Sequence, residues 1–267
     1  MGNRLRAVAL SALLFGSVMS GDELKVLVSL LSMEYVETSR NGSFLDSEKS
    51  DYDAIAGVEL GYKVEFGFGH GGADVSALEM SVEYLNGDSD YDGFLQSTTT
   101  GEILSPYKTT TKNTIIEPRL RWVETKKNES YDIGVFVSLG YRNWVRDMSG
   151  DVYGIKETYS WGYGDVGMRV MIHDGDWHLG VEGAYKRAFL ATMRAEFNGG
   201  MDFDLGNTWG YDVRVPLVWD VSESVSIELS YELDHWEISA SNVVSGYLEP
   251  DSTTKNEMIR AGLVYRW

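Results

Sequence analysis

The segment "MIRAGLVYRW" (258–267) decides the fold, because its apolar and charged residues alternate. One parity is wholly apolar and consists of Ile259, Ala261, Leu263, Tyr265 and Trp267. The other parity carries the charges of Arg260 and Arg266. Because successive side chains of a β-strand point to opposite faces, this segment is predicted to be a strand with one apolar and one charged face.

The same period of two recurs along the chain, for example in "YDIGVFVSLGY" (131–141), "WGYDVRVPLVW" (209–219), "VSIELSYEL" (225–233) and "AIAGVELGYKV" (54–64). It predicts about ten strands, at 24–38, 52–67, 75–86, 111–124, 131–147, 159–173, 177–190, 208–221, 225–240 and 256–267. Ordinary strands have about 5–6 residues, whereas strands that cross a bilayer need about 9–11. The predicted lengths therefore favour membrane-crossing strands.

Composition supports an all-β chain and excludes several classes of function. Tyr (16) and Trp (8) are abundant, Gly is common (29) and Pro is scarce (4), as expected for pleated strands joined by turns. The net charge of −18 excludes a nucleic-acid partner, since phosphate binding needs clustered Lys and Arg. The absence of Cys excludes disulfides and thiolate metal sites.

Residues 1–20 are predicted to be a secretory signal peptide. Arg4 and Arg6 form a basic start, "AVALSALLFGSV" (7–18) is an apolar core, and small residues precede the expected cleavage site. The mature chain, 21–267, has no further apolar run near 18 residues, which a helix would need to cross a membrane. A transmembrane β-barrel needs no such run, because only every second residue meets lipid.

The predicted connections alternate between short turns, such as "KKNES", "DGD" and "SES", and long acidic stretches, such as "GDSDYDGFLQSTTTGEILSPYKTT". Short turns on one side and long loops on the other are typical of bacterial outer-membrane barrels. The sequence thus predicts a single transmembrane antiparallel up-and-down β-barrel in the outer membrane, with both termini in the periplasm. A secreted β-sandwich also has alternating strands, but long strands and unequal loops disfavour it.

Five aromatic residues lie where predicted strands meet short turns or the chain end: Trp122, Tyr131, Trp177, Trp219 and Trp267. They are predicted to form a girdle at the periplasmic interface, with Tyr35, Tyr84, Tyr141 and Trp209 at the opposite rim. The ending "GLVYRW" resembles the terminal signal of outer-membrane barrels. That resemblance implies recognition of the last strand by the barrel-insertion machinery, with outer-membrane lipid and lipopolysaccharide as surroundings.

The other parity of the strands is predicted to line the lumen with charges, namely Glu59, Lys63, Glu79, Glu83, Glu117, Arg119, Arg121, Arg142, Arg169, Glu182, Lys186, Arg214, Glu228, Glu232 and Arg260. Their near balance predicts paired networks, because isolated buried charges are costly. A barrel of ten strands is close to the size at which side chains fill the interior completely. The leading interpretation is a porin-like or structural barrel without enzymatic activity, whose narrow lumen passes small solutes at most.

Two alternatives remain open at this point. One is adhesion or ligand binding by the outer loops, which carry Phe44, Phe94, Tyr107, Tyr153, Phe203 and Tyr247 among the acids. The other is proteolysis, because ten strands with five outer loops resemble the omptins, the outer-membrane proteases.

The omptin site pairs two aspartates near the second outer loop with an Asp-His couple near the fourth. Here the resemblance matches Asp88 and Asp90 to the first pair, and the fourth loop offers Asp202 and Asp204 without a histidine. Without that imidazole the general base of the family is missing. The resemblance therefore covers the topology of the mature chain and half of the site.

The remaining candidates are histidines and an acidic cation site. His70, His173, His178 and His235 form no H-x-S arrangement like that of lipid A deacylases, and they are interpreted as solvated. "DSDYDG" (88–93) has the alternating acids of the first half of an EF-hand loop, but Thr99 stands where its final Glu should be. A weaker calcium or magnesium site at Asp88, Asp90 and Asp92 in an acidic outer loop is predicted, and no other cofactor.

Overall fold

The computed structural model describes residues 22–39, 41–66, 71–96, 103–151, 153–197 and 199–267. These residues form twelve strands: β1 (Glu23–Thr38), β2 (Phe44–Lys49), β3 (Ile55–Phe66), β4 (Val75–Gln96), β5 (Ile103–Lys127), β6 (Tyr131–Asp147), β7 (Lys156–Asp174), β8 (Trp177–Ala195), β9 (Met201–Asp204), β10 (Thr208–Asp220), β11 (Val225–Ile238) and β12 (Asp251–Arg266). Within the described ranges no helix has the length and hydropathy to span a membrane. The predicted signal peptide (1–20) and His70 lie outside these ranges.

Ten of the strands close into one antiparallel ring. In order, β1, β3, β4, β5, β6, β7, β8, β10, β11 and β12 each pair with the next strand. β12 then returns to β1, from Glu23 opposite Arg266 to Thr38 opposite Asp251. Closure gives each of these ten strands a partner on both sides, as a sheet in lipid requires. The predicted all-β, single antiparallel barrel is confirmed.

The count of strands differs from the ten predicted, because two short strands lie outside the ring. β2 pairs with the outer ends of β1 and β4, and β9 pairs with the outer end of β8. Both come from segments predicted to be outer loops, "FLDSEK" and "MDFD". Their acidic, short sequences carry little strand signal, and pairing with neighbouring strands that project above the ring determines their conformation.

The second outer connection is largely strand, and the prediction of a long acidic loop from residue 87 to 110 is wrong. β4 and β5 continue as a paired hairpin beyond the predicted limits, with Gly87 opposite Asn113 and Phe94 opposite Pro106. The β-branched run Thr109–Thr111 favours the extended backbone, and Lys108 Nζ lies 2.5 Å from Asp92 Oδ2 across the hairpin.

The outward face of the ring is an apolar belt. On β6, Ile133, Val135, Val137 and Leu139 are 41–62% exposed, whereas Phe136 between them is buried. The same alternation runs along β1, where Leu24, Val26, Val28 and Leu30 face outward. A continuous apolar surface of this kind is stable only when lipid covers it. The belt ends near Leu30 and Tyr141, and the strands continue above it.

Tyr35 was predicted to lie at the outer membrane rim, and that prediction is wrong. Its side chain is fully buried inside the barrel. "KVLVSLL" (25–31) is apolar on both parities, so its pattern does not indicate which side chains of β1 face the lumen. Tyr84 and Tyr141, by contrast, are exposed on the outward face as predicted.

Candidate functional site

A cavity of about 370 Å³ occupies the periplasmic half of the lumen. At the short-turn end its lining includes Glu23, Asp132, Asp220 and Arg266, at the ends of four strands. Towards the middle of the barrel the lining becomes a dense set of acids and bases. Its polar walls could hold water or a small polar ligand.

All fifteen charges predicted for the lumen face the interior. Thirteen of them line the cavity: Glu59, Lys63, Glu79, Glu83, Glu117, Arg119, Arg121, Arg169, Glu182, Arg214, Glu228, Glu232 and Arg260. Arg142 and Lys186 lie buried further out. Their side chains thus lie on the inward parity of the strands, inside the barrel.

The charges are paired across the barrel. Arg260 lies 2.9 Å from Glu83 on β4 and 2.8 Å from Glu232 on β11. Arg214 is 2.7 Å from Glu228 and 3.4 Å from Glu59 on β3. Both of these bases meet two or more acids, and the pairs connect strands that are not neighbours in the sheet.

A second group of pairs lies further from the periplasm. Arg142 is 2.9 Å from Asp234 and 3.0 Å from Glu117. Lys186 is 2.7 Å from the same Asp234 and 2.9 Å from Asp212. These side chains are at most 9% exposed, so little water reaches them.

The outer half of the lumen is filled by an aromatic layer, which consists of Tyr35, Trp144, Tyr159, Trp161, Tyr163 and Trp236. All six side chains are at most 1% exposed. Trp161 and Trp236 meet edge to face at 5.2 Å, and Trp144 stacks on Tyr159 at 5.2 Å. Leu31, Met33, Ile115, Met193, Phe203 and Met258 pack in the same buried cluster. In the part of the chain that the structure describes, these side chains occupy the outer half of the lumen.

Above the aromatic layer lies the outer cap, defined here as Arg146 with Glu37, Asp46, Glu48, Glu157 and Glu249. Arg146 Nη2 is 2.7 Å from Glu48, and Nη1 is 2.8 Å from Glu157 and 3.3 Å from Glu37. The guanidinium also stacks 4.1 Å from the ring of Tyr35. Five buried or half-buried acids thus share one base.

This excess of acid changes the protonation of the outer cap, which lies beyond the apolar belt. Burial, reinforced by Glu37 and Glu48, raises the pKa of Glu157 to about 7 despite the attraction of Arg146. Burial and the neighbouring Glu37 raise the pKa of Asp46 to about 9. Burial and the same Glu37 also raise the pKa of Glu249. Near neutral pH the cap therefore holds protons as well as the cation of Arg146.

The sequence reading missed the outer cap. Arg146 shares the inward parity of Arg142, so its facing was available from the strand pattern. Glu48, however, comes from β2, which was predicted to be loop, and Glu249 precedes β12 in an irregular segment. No local pattern indicates that these acids meet Arg146.

The aspartates matched to an omptin-like site do not face the lumen. Asp88 and Asp90 are exposed on the outward side of β4, while Ser89 between them is buried. Asp202 and Asp204 are likewise exposed on β9, and Asp202 pairs with Arg194 at 2.9 Å. Since β4 and β9 are not neighbours in the sheet, the structure does not bring these two pairs together on one face.

The predicted cation site at Asp88, Asp90 and Asp92 lies on β4 and not in a loop. Alternate residues of a strand are about 6.4–6.8 Å apart, so their carboxylates project side by side rather than converging. Asp92 already pairs with Lys108. In the part of the chain that the structure describes, no group of three or more His, Asp or Glu is arranged to hold a metal ion. Calcium or magnesium binding here stays a prediction.

The predicted periplasmic girdle is found on the outward face beside the short turns. Trp177 stacks on Trp219 at 5.5 Å, and Trp267 stacks on Tyr62 at 6.0 Å. Trp122 stacks on Phe66 at 5.6 Å, and Tyr131 is 43% exposed at the start of β6. Aromatic rings with a polar tip favour the interface between lipid and water.

Solved structures with a similar fold are bacterial outer-membrane β-barrels. The outer membrane protease OmpT of Escherichia coli is 12% identical over 94% of this chain and 99% of its own, with a TM-score of 0.61. The translocator domain of the autotransporter NalP of Neisseria meningitidis is 12% identical over 98% of this chain and 95% of its own, with a TM-score of 0.41. An outer membrane channel of Pseudomonas putida F1 is 9% identical over 94% of this chain and 97% of its own, with a TM-score of 0.42.

No protein-family model and no curated protein sequence matches the chain. At these identities the likeness to solved structures shows the fold alone. The chain has the fold of a bacterial outer-membrane β-barrel, with a topology like that of the omptins, and the prediction of an outer-membrane barrel is confirmed at that level.

Proposed function

We propose that this protein is a structural outer-membrane barrel that conducts no solutes and catalyses no reaction. One observation carries the proposal, namely that the aromatic layer fills the outer half of the lumen. Its six side chains are at most 1% exposed, and Trp161 from β7 meets Trp236 from β11 across two intervening strands. A solute that enters the periplasmic cavity meets this packed layer before it reaches the outer end.

Ion pairs beneath the layer support the same proposal. Arg142 and Lys186 both bind Asp234, and all three side chains are at most 5% exposed. A conducting pore needs charges that face water and release passing ions. Charges that are mutually paired and buried hold strands together instead, which is the role proposed for this network.

Single-channel conductance in a planar bilayer tests the proposal. The folded protein is expected to be silent, with heat-modifiable gel mobility proving that the added protein is folded. The double variant Trp161→Ala, Trp236→Ala removes the crossing rings and is expected to give measurable steps. Reproducible steps from the unaltered protein would overturn the proposal, and their ion selectivity would then be measured in Glu232→Gln and Arg214→Gln.

Proteolysis is the less supported alternative. The likeness to OmpT is one of fold, and the aspartates that match its site in sequence order face outward here. Incubation of the folded protein with a peptide library, with Asp88→Asn as the matched variant, tests this directly. Cleavage that disappears in Asp88→Asn would replace the proposal of a non-enzymatic barrel.

Ligand binding at the outer end is a second candidate, and exposed apolar side chains favour it. Leu104 and Tyr153 are 64% and 66% exposed, and Phe44 is 50% exposed, all above the membrane belt. Tyr153 contacts Tyr107, which contacts Tyr91, so the surface rests on ordered strands. Phe203 contributes nothing to this surface because it is buried.

Adhesion of cells that display the protein to host-derived matrix tests this candidate. The variants Phe44→Ser and Tyr153→Ser are expected to reduce adhesion, whereas Phe203 is unsuitable as a probe because its loss would disturb the core.

Two further proposals concern what surrounds the barrel in the membrane. Lipid with lipopolysaccharide covers the apolar belt, and the barrel-insertion machinery acts on β12.

A further inference from the structure

Two histidines face each other at the periplasmic mouth of the cavity. His173 of β7 and His178 of β8 are directly opposite in the hairpin that turns at Gly175, and both line the cavity. Their Nδ1 atoms are 2.8 Å apart, and the rings meet edge to face at 4.9 Å. Both side chains remain partly exposed, at 27% for His173 and 19% for His178, and they are paired with each other.

A carboxylate holds the other nitrogen of each ring. His178 Nε2 is 2.8 Å from Asp220 Oδ2, and His173 Nε2 is 3.2 Å from Asp132 Oδ2. Carboxylates accept hydrogen bonds, so we assign the ring proton of each neutral histidine to Nε2. The two Nδ1 atoms, 2.8 Å apart, then each carry a lone pair and no proton. Such a contact is repulsive unless a positive species lies between or beside the two nitrogens.

We propose that His173 and His178 bind a late first-row transition-metal ion, Cu²⁺ in preference to Ni²⁺ or Zn²⁺, through their Nδ1 atoms. Imidazole suits these ions, and Cu²⁺ binds most tightly among them. Histidines that bind metal almost always donate their other N–H to a carboxylate, as the positions of Asp132 and Asp220 allow. Two nitrogens in adjacent positions at about 2.0 Å from a tetragonal ion are about 2.8 Å apart, which matches the observed separation.

The surroundings complete the site without a third imidazole or carboxylate ligand. Asp220 is fixed by Arg266, whose Nη1 lies 2.9 Å away, so Asp220 is held towards His178 and orients its ring. Met171 lies two residues before His173 on the same face and lines the cavity, which places a thioether, a donor that copper accepts, on that wall. Water from the cavity fills the remaining positions. With two protein ligands the site is expected to exchange its ion with the periplasm rather than retain it permanently.

Copper titration of the untagged protein, folded in detergent micelles and followed by electron paramagnetic resonance, tests the proposal. One Cu²⁺ per chain is expected, with hyperfine coupling to two nitrogens. His173→Asn and His178→Asn should each abolish the two-nitrogen signal. Asp220→Asn should retain the two-nitrogen signal but weaken binding about 10–100-fold, because it removes an orienting group and not a ligand.

Two histidines elsewhere provide matched controls. His235→Asn changes an imidazole on the outward side of β11, opposite to buried Asp234, and is expected to leave copper binding unchanged. His70→Asn changes the one histidine outside the described ranges and is expected to have the same null effect. Each variant is first shown to be folded by heat-modifiable mobility.

Two results would overturn the proposal. Folded protein without a two-nitrogen copper signal would show that the two imidazoles do not bind the ion. Binding that is lost in His70→Asn and kept in His173→Asn would place the metal elsewhere. Neither result depends on conductance, so copper binding and the proposed lack of transport are tested independently.

Discussion

Trp161 of β7 and Trp236 of β11 meet edge to face with their ring centroids 5.2 Å apart, although β8 and β10 separate their strands in the sheet. The contact therefore crosses the lumen and does not run along the wall. Tyr163 adds a second ring 5.4 Å from Trp236. Large, fully buried rings that meet across a barrel fill it as the core of a soluble protein is filled.

The first prediction concerns this contact. Trp236→Ala removes a fully buried ring and leaves a cavity, so the free energy of unfolding is expected to fall by about 3–5 kcal/mol. Equilibrium unfolding in urea from lipid vesicles measures the loss. Trp236→Phe retains an aromatic ring and should lose clearly less. If both variants were as stable as the unaltered protein, the aromatic layer would not be a packed core.

The second prediction concerns the single base of the outer cap. Arg146→Met leaves Glu37, Glu48 and Glu157 without their cation, and the free energy of unfolding is expected to fall by about 3–5 kcal/mol. The matched control is Arg194→Met, since the pair of Arg194 with Asp202 is exposed and worth about 1 kcal/mol at most.

Combining Arg146→Met with Glu48→Gln removes one of the uncompensated charges and should restore part of the lost stability. Urea unfolding of the three variants side by side separates these effects. Equal losses for Arg146→Met and Arg194→Met would contradict a role of Arg146 in neutralising buried acid.

The third prediction is a pH dependence that comes from the same cap. The pKa of Glu157 rises from an ordinary 4.5 to about 7 on folding, and that of Asp46 rises from 3.8 to about 9. At pH values between the unfolded and the folded pKa of each group, the folded protein holds a proton that the unfolded chain has released. The stability that these two groups contribute is therefore fully present below about pH 4 and is lost as pH rises through 7 and towards 9.

Thermal unfolding at pH 5.0 and pH 8.5 measures this effect, with the higher Tm expected at pH 5.0. Glu157→Gln carries no titratable proton and should reduce the difference between the two Tm values. A Tm that increases with pH in the unaltered protein would show that the cap is ionised when folded.

The fourth prediction concerns a close approach of two strands. A Cβ at Gly57 of β3 would lie 1.8 Å from the backbone oxygen of Tyr84 on β4, which is impossible without displacing a strand. Gly57→Ala is expected to lower the yield of folded, heat-modifiable protein severely. Gly164→Ala serves as the control, because the nearest atom to its new Cβ would be 3.8 Å away. Similar yields for the two variants would mean that β3 and β4 can separate without cost.

The barrel itself could be predicted because each strand repeats one simple signal. Residues 131–141 carry apolar side chains on one parity and, apart from Phe136, small or polar side chains on the other, and the structure places the two sets on opposite faces as expected. Lipid outside and packed charge inside enforce that alternation at every step, so even a single strand such as β6 is informative.

The features above the membrane could not be predicted in the same way, because water and protein surround them on both sides. β4 and β5 continue as strands through "DSDYDG" and "TTT", where the sequence lacks an apolar face. The mutual position of Glu48 and Arg146, 98 residues apart in the chain, depends on the closure of the ring. The pairing of His173 with His178 was within reach, since the two residues are symmetric about one short turn.

The aromatic layer has one more consequence, which concerns energetic coupling. Arg146 and His178 contact no described residue in common, and a layer of buried rings lies between the levels that they occupy. Changes at sites that share no partner add in their effects on stability. The two ends of the barrel can therefore diverge independently, so that mutations can reshape the surface facing the environment while the surface facing the periplasm stays as it is.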